Sequence, residues 1–169
     1  MRLLLLDFDG VLNGTAHFTS PEFLAATEGL GEAEVMLLAR SSHLERAKVV
    51  LVNRVVEASG AAVVISPSWR PGYTLDELNE MLASRGASFR AVALTPRVTS
   101  YDPSKPLRAR EIVSCLDALA TPPESVVALD DDDLGGMVPG HIRTESHLGL
   151  QEHHVEACLR AFGFPASPE

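Results

Sequence analysis

Residues 2–12 read RLLLLDFDGVL, an apolar run that stops abruptly at an acidic turn. The run is too short for a helix, and its consecutive leucines are typical of a strand that is buried on both faces of a sheet. Asp7 and Asp9 place two carboxylates at the end of this strand, and Gly10 lets the chain turn tightly there. Two carboxylates so close together are costly to bury unless a divalent cation with oxygen ligands holds them.

The rest of the chain alternates strands with helices. Further strands are predicted at 61–65, 89–94, 125–129 and 142–144, and core helices at 43–59, 74–85, 106–120 and 151–162. Thr74 and Glu77 have the spacing of a capping box. In helix 43–59 the spacing predicts an apolar face made of Leu44, Ala47, Val50, Leu51, Val55 and Ala58. Continuous apolar strands separated by helices predict an α/β fold, a doubly wound parallel sheet covered on both faces.

Ligands of such sheets bind at the carboxyl ends of the strands, so the residues that follow each strand are the site candidates. These residues are Asp7, Ser66, Thr95 and Asp130, and Asp130 opens a run of four aspartates that ends at Asp133. Each acidic cluster alone is also compatible with a solvated turn. Two such clusters at one edge of one sheet converge in space, and like charges crowded there require a cation.

Other candidates suit phosphate binding. A hydroxyl at a strand end can bind a phosphate oxygen together with backbone N–H groups, which favours Ser66, with Ser68 as the competitor and Gly10 as a further substrate-binding candidate. Lys105 and Arg108 stand at the start of helix 106–120, where the helix dipole disfavours a cation. A cation in this unfavourable position suggests that one of the two residues neutralises a phosphate. Each of them could equally well be an ordinary exposed side chain.

Taken in chain order, these motifs resemble those of the haloacid dehalogenase (HAD) superfamily of phosphohydrolases. The stretch DFDGVL at 7–12 resembles its first motif, Ser66 its second, and Asp130 with Asp131 its fourth. The resemblance spans residues 2 to about 133. The stretches VVISPSWR, RAREI and LDDDD also look like a small branch that includes HAD domains of RNA-repair proteins. This resemblance implies a HAD-like, Rossmann-like fold.

The resemblance also implies roles for the site residues. Asp7 would be the nucleophile that forms an aspartyl-phosphate, and Asp9 the general acid and base. Ser66 would hold the transferring phosphoryl group. The implied cofactor is Mg²⁺, bound by Asp7, by the backbone carbonyl of Asp9 and by Asp130 or Asp131. The implied activity is Mg²⁺-dependent hydrolysis of a phosphomonoester.

The third HAD motif is a lone basic residue, and two residues compete for it. Lys105 precedes Pro106, as in many members of the superfamily, and carries a compact charge suited to a carboxylate. Arg108 has the better spacing to the apolar face of its helix, with Ile112 four residues on, and could bind phosphate through two N–H groups. Both remain candidates for the catalytic cation, with a slight preference for Lys105.

The length of 169 residues suits a single domain at 1–164 with a loose tail at 165–169. The segment between the first motif and the second strand leaves room for a small lid at about 13–40. We expect a small phosphorylated substrate. HAD members with little cap also tend to accept bulky substrates, which leaves protein or nucleic-acid ends as further possibilities. Trp69 and Arg70 could contact such a ligand, although Trp69 as a packing residue is the simpler interpretation.

Charge and composition limit the partners. The formal net charge of −9 disfavours non-specific binding of a polyanion, although residues 67–110 carry seven basic and four acidic groups. The apolar start is too short for a signal peptide, and no stretch has the length of a membrane span, so we expect a soluble cytoplasmic protein without a membrane partner. Cys115 and Cys158 are expected to be reduced, and His153 and His154 to be solvated.

Two other functional classes stay open beside the phosphatase. A receiver-type signalling module also gathers acidic residues, a Ser or Thr and a Lys around Mg²⁺, although its phosphorylated Asp ends a middle strand of the chain and Asp7 ends the first. A non-catalytic phosphate-binding module on a HAD scaffold is the third class, because a fold does not fix a function.

Overall fold

Five parallel strands form the centre of the molecule. The computed structural model describes residues 1–32, 34–35, 44–66 and 72–165. The strands are β1 (Arg2–Leu6), β2 (Ala62–Ile65), β3 (Ala91–Leu94), β4 (Ser125–Asp130) and β5 (His141–Arg143). Their order is β3-β2-β1-β4-β5, and every neighbouring pair is parallel. The predicted doubly wound α/β sheet is confirmed.

Five α-helices are described, together with a short 3-10 helix at His17–Thr19. They are α1 (Pro21–Thr27), α2 (Arg46–Ser59), α3 (Leu75–Ser84), α4 (Leu107–Asp117) and α5 (Glu152–Ala161). The ends of the predicted core helices and strands lie within three residues of those observed. The 3-10 helix and α1 fall in the predicted lid at 13–40, of which residues 33 and 36–40 lie outside the described residues, as do residues 166–169 of the predicted tail.

Helices cover both faces of the sheet, because the side chains of each strand alternate between them. Leu4 and Leu6 of β1 pack in a core layer with α2, α3 and α5, and Leu3 and Leu5 pack with α4 on the opposite face. Cys158 belongs to the first layer and Cys115 packs against the second, and both thiols are free. The sheet therefore separates the two cysteines.

The predicted apolar face of α2 is confirmed only in part: Leu44 and Val55 are buried and Leu51 packs against the core, but Ala47, Val50 and Ala58 are exposed. The buried residues of this helix are Val49, Val52, Val55 and Ser59, whereas Val50 is exposed. Valines occupy two overlapping sides of α2, so spacing alone could not choose between them. Ser59 can be buried because its hydroxyl donates to the carbonyl of Val55 and accepts the N–H of Ala61.

The order of the strands places a crevice between β1 and β4. The chain runs outward from β1 through β2 to β3, and then crosses back to place β4 on the other side of β1. This reversal is the topological switch point at which α/β sheets bind ligands. The N–H of Asp7 donates to the carbonyl of Leu129 at 3.0 Å, so the ends of the two strands are joined directly below the crevice.

In the parts of the chain that the structure describes, no helix combines the length and the apolar character that a membrane crossing requires.

Candidate active site

Three carboxylates meet at the switch point. Asp7 follows β1, Asp130 ends β4 and Asp131 comes next, and one carboxylate oxygen from each lies within 4.8 Å of the other two. Asp7 and Asp130 are buried, with 2% and 1% of their surfaces exposed. The structure thus brings together the two acidic clusters that the sequence places at one edge of the sheet.

These buried carboxylates have oxygens without hydrogen bonds. Among the described residues, Asp7 Oδ1 and Asp130 Oδ2 are buried and have no hydrogen-bond partner. Burial raises the pKa of Asp7 well above its usual range, and it raises the pKa of Asp130 to about 6, while Arg108 acts in the opposite direction on both. Converging carboxylate oxygens are the donor set that hard divalent cations such as Mg²⁺ prefer, so the residues present fit such an ion.

Among the described residues, Arg108 is the basic side chain that contacts these carboxylates. Its Nη2 lies 3.3 Å from Asp7 Oδ2 and its Nε lies 3.5 Å from Asp130 Oδ2, while its Nη1 donates to the carbonyl oxygen of Ser66. Only 11% of the Arg108 side chain is exposed. A cation in the first turn of α4 is unfavourable for the helix dipole, and its contacts with buried carboxylates explain why it is there.

The structure reverses the preference for Lys105. Lys105 is exposed and precedes α4, in a turn where its N–H donates to the carbonyl of Asp102 at 3.4 Å. Arg108 lies one turn nearer the sheet and carries a fork of N–H donors that can contact several oxygens at once. The contact with Asp7 is therefore made by Arg108.

Ser66 completes the polar floor of the crevice. It is 1% exposed, and its N–H donates to the carbonyl of Leu6 at 2.8 Å, which ties it to the end of β1. Its Oγ accepts a hydrogen bond from Thr95 Oγ1 at 3.3 Å and lies 3.5 Å from Arg108 Nη1. Ser68, together with Trp69 and Arg70, lies outside the described residues.

Gly10 leaves the space that the Asp131 side chain occupies. Its φ is +68°, and a Cβ at this position would lie 2.3 Å from Asp131 Cγ, so only glycine lets Asp131 approach so closely. Its N–H donates to Asn13 Oδ1 at 3.0 Å and its carbonyl accepts from Thr144 Oγ1 at 2.6 Å. Asn13 Nδ2 also donates to Asp9 Oδ1 at 3.1 Å. Asp9 thus lies beside the carboxylate cluster, held by the same turn.

The loop after β5 adds two residues that the sequence analysis missed. Thr144 donates its N–H to the carbonyl of Asp130 at 3.2 Å, and Ser146 Oγ lies 2.5 Å from Asp131 Oδ2. Thr144 follows β5 in the structure, but the sequence predicts it as the last residue of that strand, so the rule about strand ends points one residue too far. Ser146 has no such signal, because it reaches the site through the path of the loop.

Comparison with known proteins now decides the family. A family model described as the HAD domain in Swiss Army Knife RNA repair proteins matches residues 3–155. The chain belongs to this HAD family. Searches among curated proteins and among solved structures gave no match. Membership confirms the resemblance to the HAD superfamily and to its RNA-repair branch, and it supports a phosphohydrolase of the HAD type.

In this HAD domain the four aspartates are not equivalent. Asp130 and Asp131 belong to the carboxylate cluster, whereas Asp132 and Asp133 are exposed. Asp132 supports the cluster through its N–H, which donates to Asp130 Oδ1 at 3.0 Å. Asp133 Oδ1 accepts from the N–H of Gly135 at 2.8 Å and so holds the turn. The metal candidates of the fourth motif are therefore Asp130 and Asp131.

A second group of possible ligands in the HAD domain is formed by Glu145, from the loop after β5, and by His153 and His154 of α5. The expectation that His154 is solvated is wrong, because it is 4% exposed. Its Nδ1 accepts the N–H of Gln151 at 2.9 Å, which puts the ring proton on Nε2, 3.6 Å from Glu145 Oε2. A protonated Nε2 cannot bind a metal, so His154 serves instead as a buried side chain that caps the start of α5, while Glu145 and His153 are exposed.

Proposed function

We propose that this HAD domain is a Mg²⁺-dependent phosphohydrolase that acts on a phosphomonoester through Asp7. One observation carries the proposal: the buried Asp7 carboxylate lies within 4.8 Å of the carboxylate oxygens of Asp130 and Asp131, and on its other side 3.3 Å from Arg108. A carboxylate that served folding alone would have both oxygens partnered, yet Asp7 Oδ1 is buried without a hydrogen-bond partner in the described part of the chain.

The mechanism assigns covalent catalysis to Asp7. Its carboxylate attacks phosphorus, and the bond from phosphorus to the leaving oxygen breaks as Asp9 gives that oxygen a proton. Asp9 then takes a proton from water, whose oxygen attacks the aspartyl-phosphate, so that inorganic phosphate leaves and Asp7 is restored. Asn13 fits this scheme because its contact with Asp9 Oδ1 at 3.1 Å orients the acid and base.

Charge control completes the mechanism, because a carboxylate and a phosphate dianion repel each other. Arg108 is a fixed cation beside Asp7 and offsets this repulsion. Ser66 accepts the hydrogen bond from Thr95, so its own hydroxyl proton is positioned to be donated to a phosphoryl oxygen. Mg²⁺, held by Asp7, by Asp130 or Asp131 and by the backbone carbonyl of Asp9, would supply further charge neutralisation when bound.

The proposed substrate class is a phosphorylated nucleic-acid end. The RNA-repair description of the family supports this class. The loop that follows β3 supports it further, because Tyr101 is 89% exposed and the same loop exposes Arg97 and Lys105. An exposed aromatic ring can stack on an unpaired base, which contributes roughly 1–3 kcal/mol per base, and cations of the same loop would attract the phosphate.

The test is a substrate screen of the purified protein with and without Mg²⁺. The substrates are p-nitrophenyl phosphate, mononucleotides, and single-stranded oligonucleotides with a 5′- or 3′-terminal phosphate. We expect Mg²⁺-dependent release of phosphate, fastest from one of the oligonucleotide ends, and its loss in Asp7→Asn. A stable phosphoprotein without turnover would favour the receiver-type class, and binding without any hydrolysis would favour the non-catalytic class.

A further inference from the structure

A cavity of about 520 Å³ lies between the amino-terminal ends of α2 and α5. Three basic side chains line it, those of Arg46, Lys48 and Arg85, against one acidic side chain, Glu45. The Glu45 carboxylate is engaged by the N–H of Gly14, which donates to its Oε1 at 3.0 Å. In a chain with a net charge of −9, this excess of cations makes the cavity attractive to an anion.

Two further features of the lining point to an anion. Helix α2 has 14 residues and begins with Arg46 directly after its N-cap residue Glu45; its first turn carries no acidic residue, and cations are unfavourable at that end of a helix. The α2 dipole and its first N–H groups instead favour a bound anion. His17 also lines the cavity, and its Nε2 is buried without a hydrogen-bond partner among the residues that the structure describes.

The cavity borders the candidate active site. Helix α2 follows β1 and α5 follows β5, so both amino-terminal ends lie at the carboxyl edge of the sheet, where Asp7 lies. Ser146 contacts Asp131 in the site, and the next residue, His147, lines the cavity. Because the Cα atoms of consecutive residues are about 3.8 Å apart, the loop after β5 runs directly from the carboxylate cluster to the wall of the cavity.

We propose that this cavity receives a second phosphate group of the substrate, namely the backbone phosphate that lies next to the terminal phosphate in a single-stranded nucleic-acid end. This inference rests on the proposed function, because it takes the terminal phosphate to be held at Asp7. The cations of the cavity then bind the strand beyond its end, as a positively charged groove tracks a backbone. The subsite makes a nucleic-acid end a better substrate than a mononucleotide with a single phosphate.

Arg46→Gln tests this subsite. Arg46 is exposed, and the loss of a cation from the start of a helix does not weaken the helix, so the variant should fold. We expect its KM for a phosphorylated decanucleotide to rise about tenfold relative to its KM for p-nitrophenyl phosphate. The matched control is Arg160→Gln, which removes an equally exposed charge from α5 outside the cavity and should leave this ratio unchanged. An unchanged ratio in Arg46→Gln would overturn the proposal.

A binding measurement separates failure of the subsite from failure of the proposed function. In the Asp7→Asn background, fluorescence anisotropy of a labelled phosphorylated decanucleotide is followed as salt is raised. Arg46→Gln should weaken binding and reduce the slope of log K against log salt by about 0.7, the value for one single-strand phosphate contact. This result supports the subsite even if the wild type hydrolyses nothing, and an unchanged slope contradicts it. If Arg46→Gln weakens the binding of a nucleoside 3′,5′-bisphosphate but not that of the decanucleotide, the second phosphate does not come from a nucleic-acid backbone.

Discussion

Nη2 of Arg108 lies 3.3 Å from Oδ2 of Asp7, and both side chains are almost completely removed from solvent. The two residues lie far apart in the sequence: Asp7 directly follows β1, and Arg108 lies in α4, the helix before β4. Their contact places a permanent cation beside the carboxylate that we propose as nucleophile. It also accounts for a basic residue at a helix position that the dipole disfavours.

Arg108→Met should lower the rate of phosphate release by roughly 10²-fold or more, because it removes a fixed charge that stabilises the transition state. Lys105→Met is the comparison, and its effect should be small, since Lys105 is exposed and the contact with Asp7 is made by Arg108. Steady-state kinetics on one substrate at saturating Mg²⁺ measures both. A large loss in Lys105→Met with little loss in Arg108→Met would reverse the assignment.

Gly10→Ala should weaken metal binding. The added Cβ would lie 2.3 Å from Cγ of Asp131, so the Asp131 carboxylate has to move away from the cluster. We expect the Mg²⁺ concentration for half-maximal activity to rise by about tenfold or more. Gly60→Ala is the matched control, because Gly60 has a similar φ of +65° and no atom within 4 Å of the added Cβ.

Each glycine variant forces alanine into the left-handed region, which should cost about 1–2 kcal/mol of stability, and Gly10→Ala should lose more because its Cβ also displaces Asp131. Only Gly10→Ala should alter the response to Mg²⁺. Equal Mg²⁺ dependence in the two variants would show that Asp131 is not a metal ligand.

His154 predicts a pH dependence of stability. Burial lowers the pKa of His154 below its usual value of 6.5, whereas the unfolded chain keeps that value. Below about pH 6.5 the unfolded state therefore binds a proton that the folded state still excludes, and the contribution of His154 to stability falls as the pH falls through this range, by up to about 1.4 kcal/mol per pH unit. Burial raises the pKa values of Asp7 and Asp130, so these two groups contribute with the opposite sign. The His154 contribution is therefore measured as the difference between wild type and His154→Gln in urea unfolding at pH 7, 6 and 5.

His154→Gln should lose less stability on acidification than the wild type, because glutamine at the same helix position can still accept the N–H of Gln151 but does not titrate. His153→Gln should change this loss less, since His153 is exposed and lowers the pKa of His154 less than burial does. If His154→Gln keeps the full wild-type slope, another group causes the pH dependence.

The strand ends were predictable from the sequence because parallel strands impose a simple rule. Asp7, Ser66, Thr95 and Asp130 each follow or end an apolar run, and the sheet brings their ends to one edge whatever the details of packing. The capping box of α3 was equally local: Thr74 and Glu77 exchange their hydrogen bonds as predicted. Patterns whose partners lie within a few residues survive folding unchanged.

Other features depend on tertiary structure and could not be predicted. The choice between Lys105 and Arg108 turns on where α4 begins relative to the sheet edge, which a difference of three residues in sequence does not reveal. The buried face of α2 depends on which of two valine-rich sides meets β1. Ser146 reaches Asp131 only because the loop after β5 folds back over the site.

Asp7 is the residue on which the whole account depends, and Asp7→Asn isolates its chemistry. The amide keeps the shape of the side chain, and burial already disfavours the charged carboxylate in the folded protein, so the substitution should not lower thermal stability in the absence of Mg²⁺. Turnover should fall by roughly 10³-fold or more, because an amide is not a usable nucleophile.

The most direct measurement maps the phosphorylated residue by mass spectrometry after acid quenching of the wild type during turnover with Mg²⁺. The account predicts a phosphoryl group on Asp7 that forms and decays fast enough to sustain turnover, and that is absent from Asp7→Asn. Near-normal turnover in Asp7→Asn, or a phosphoryl group on another residue, would contradict it.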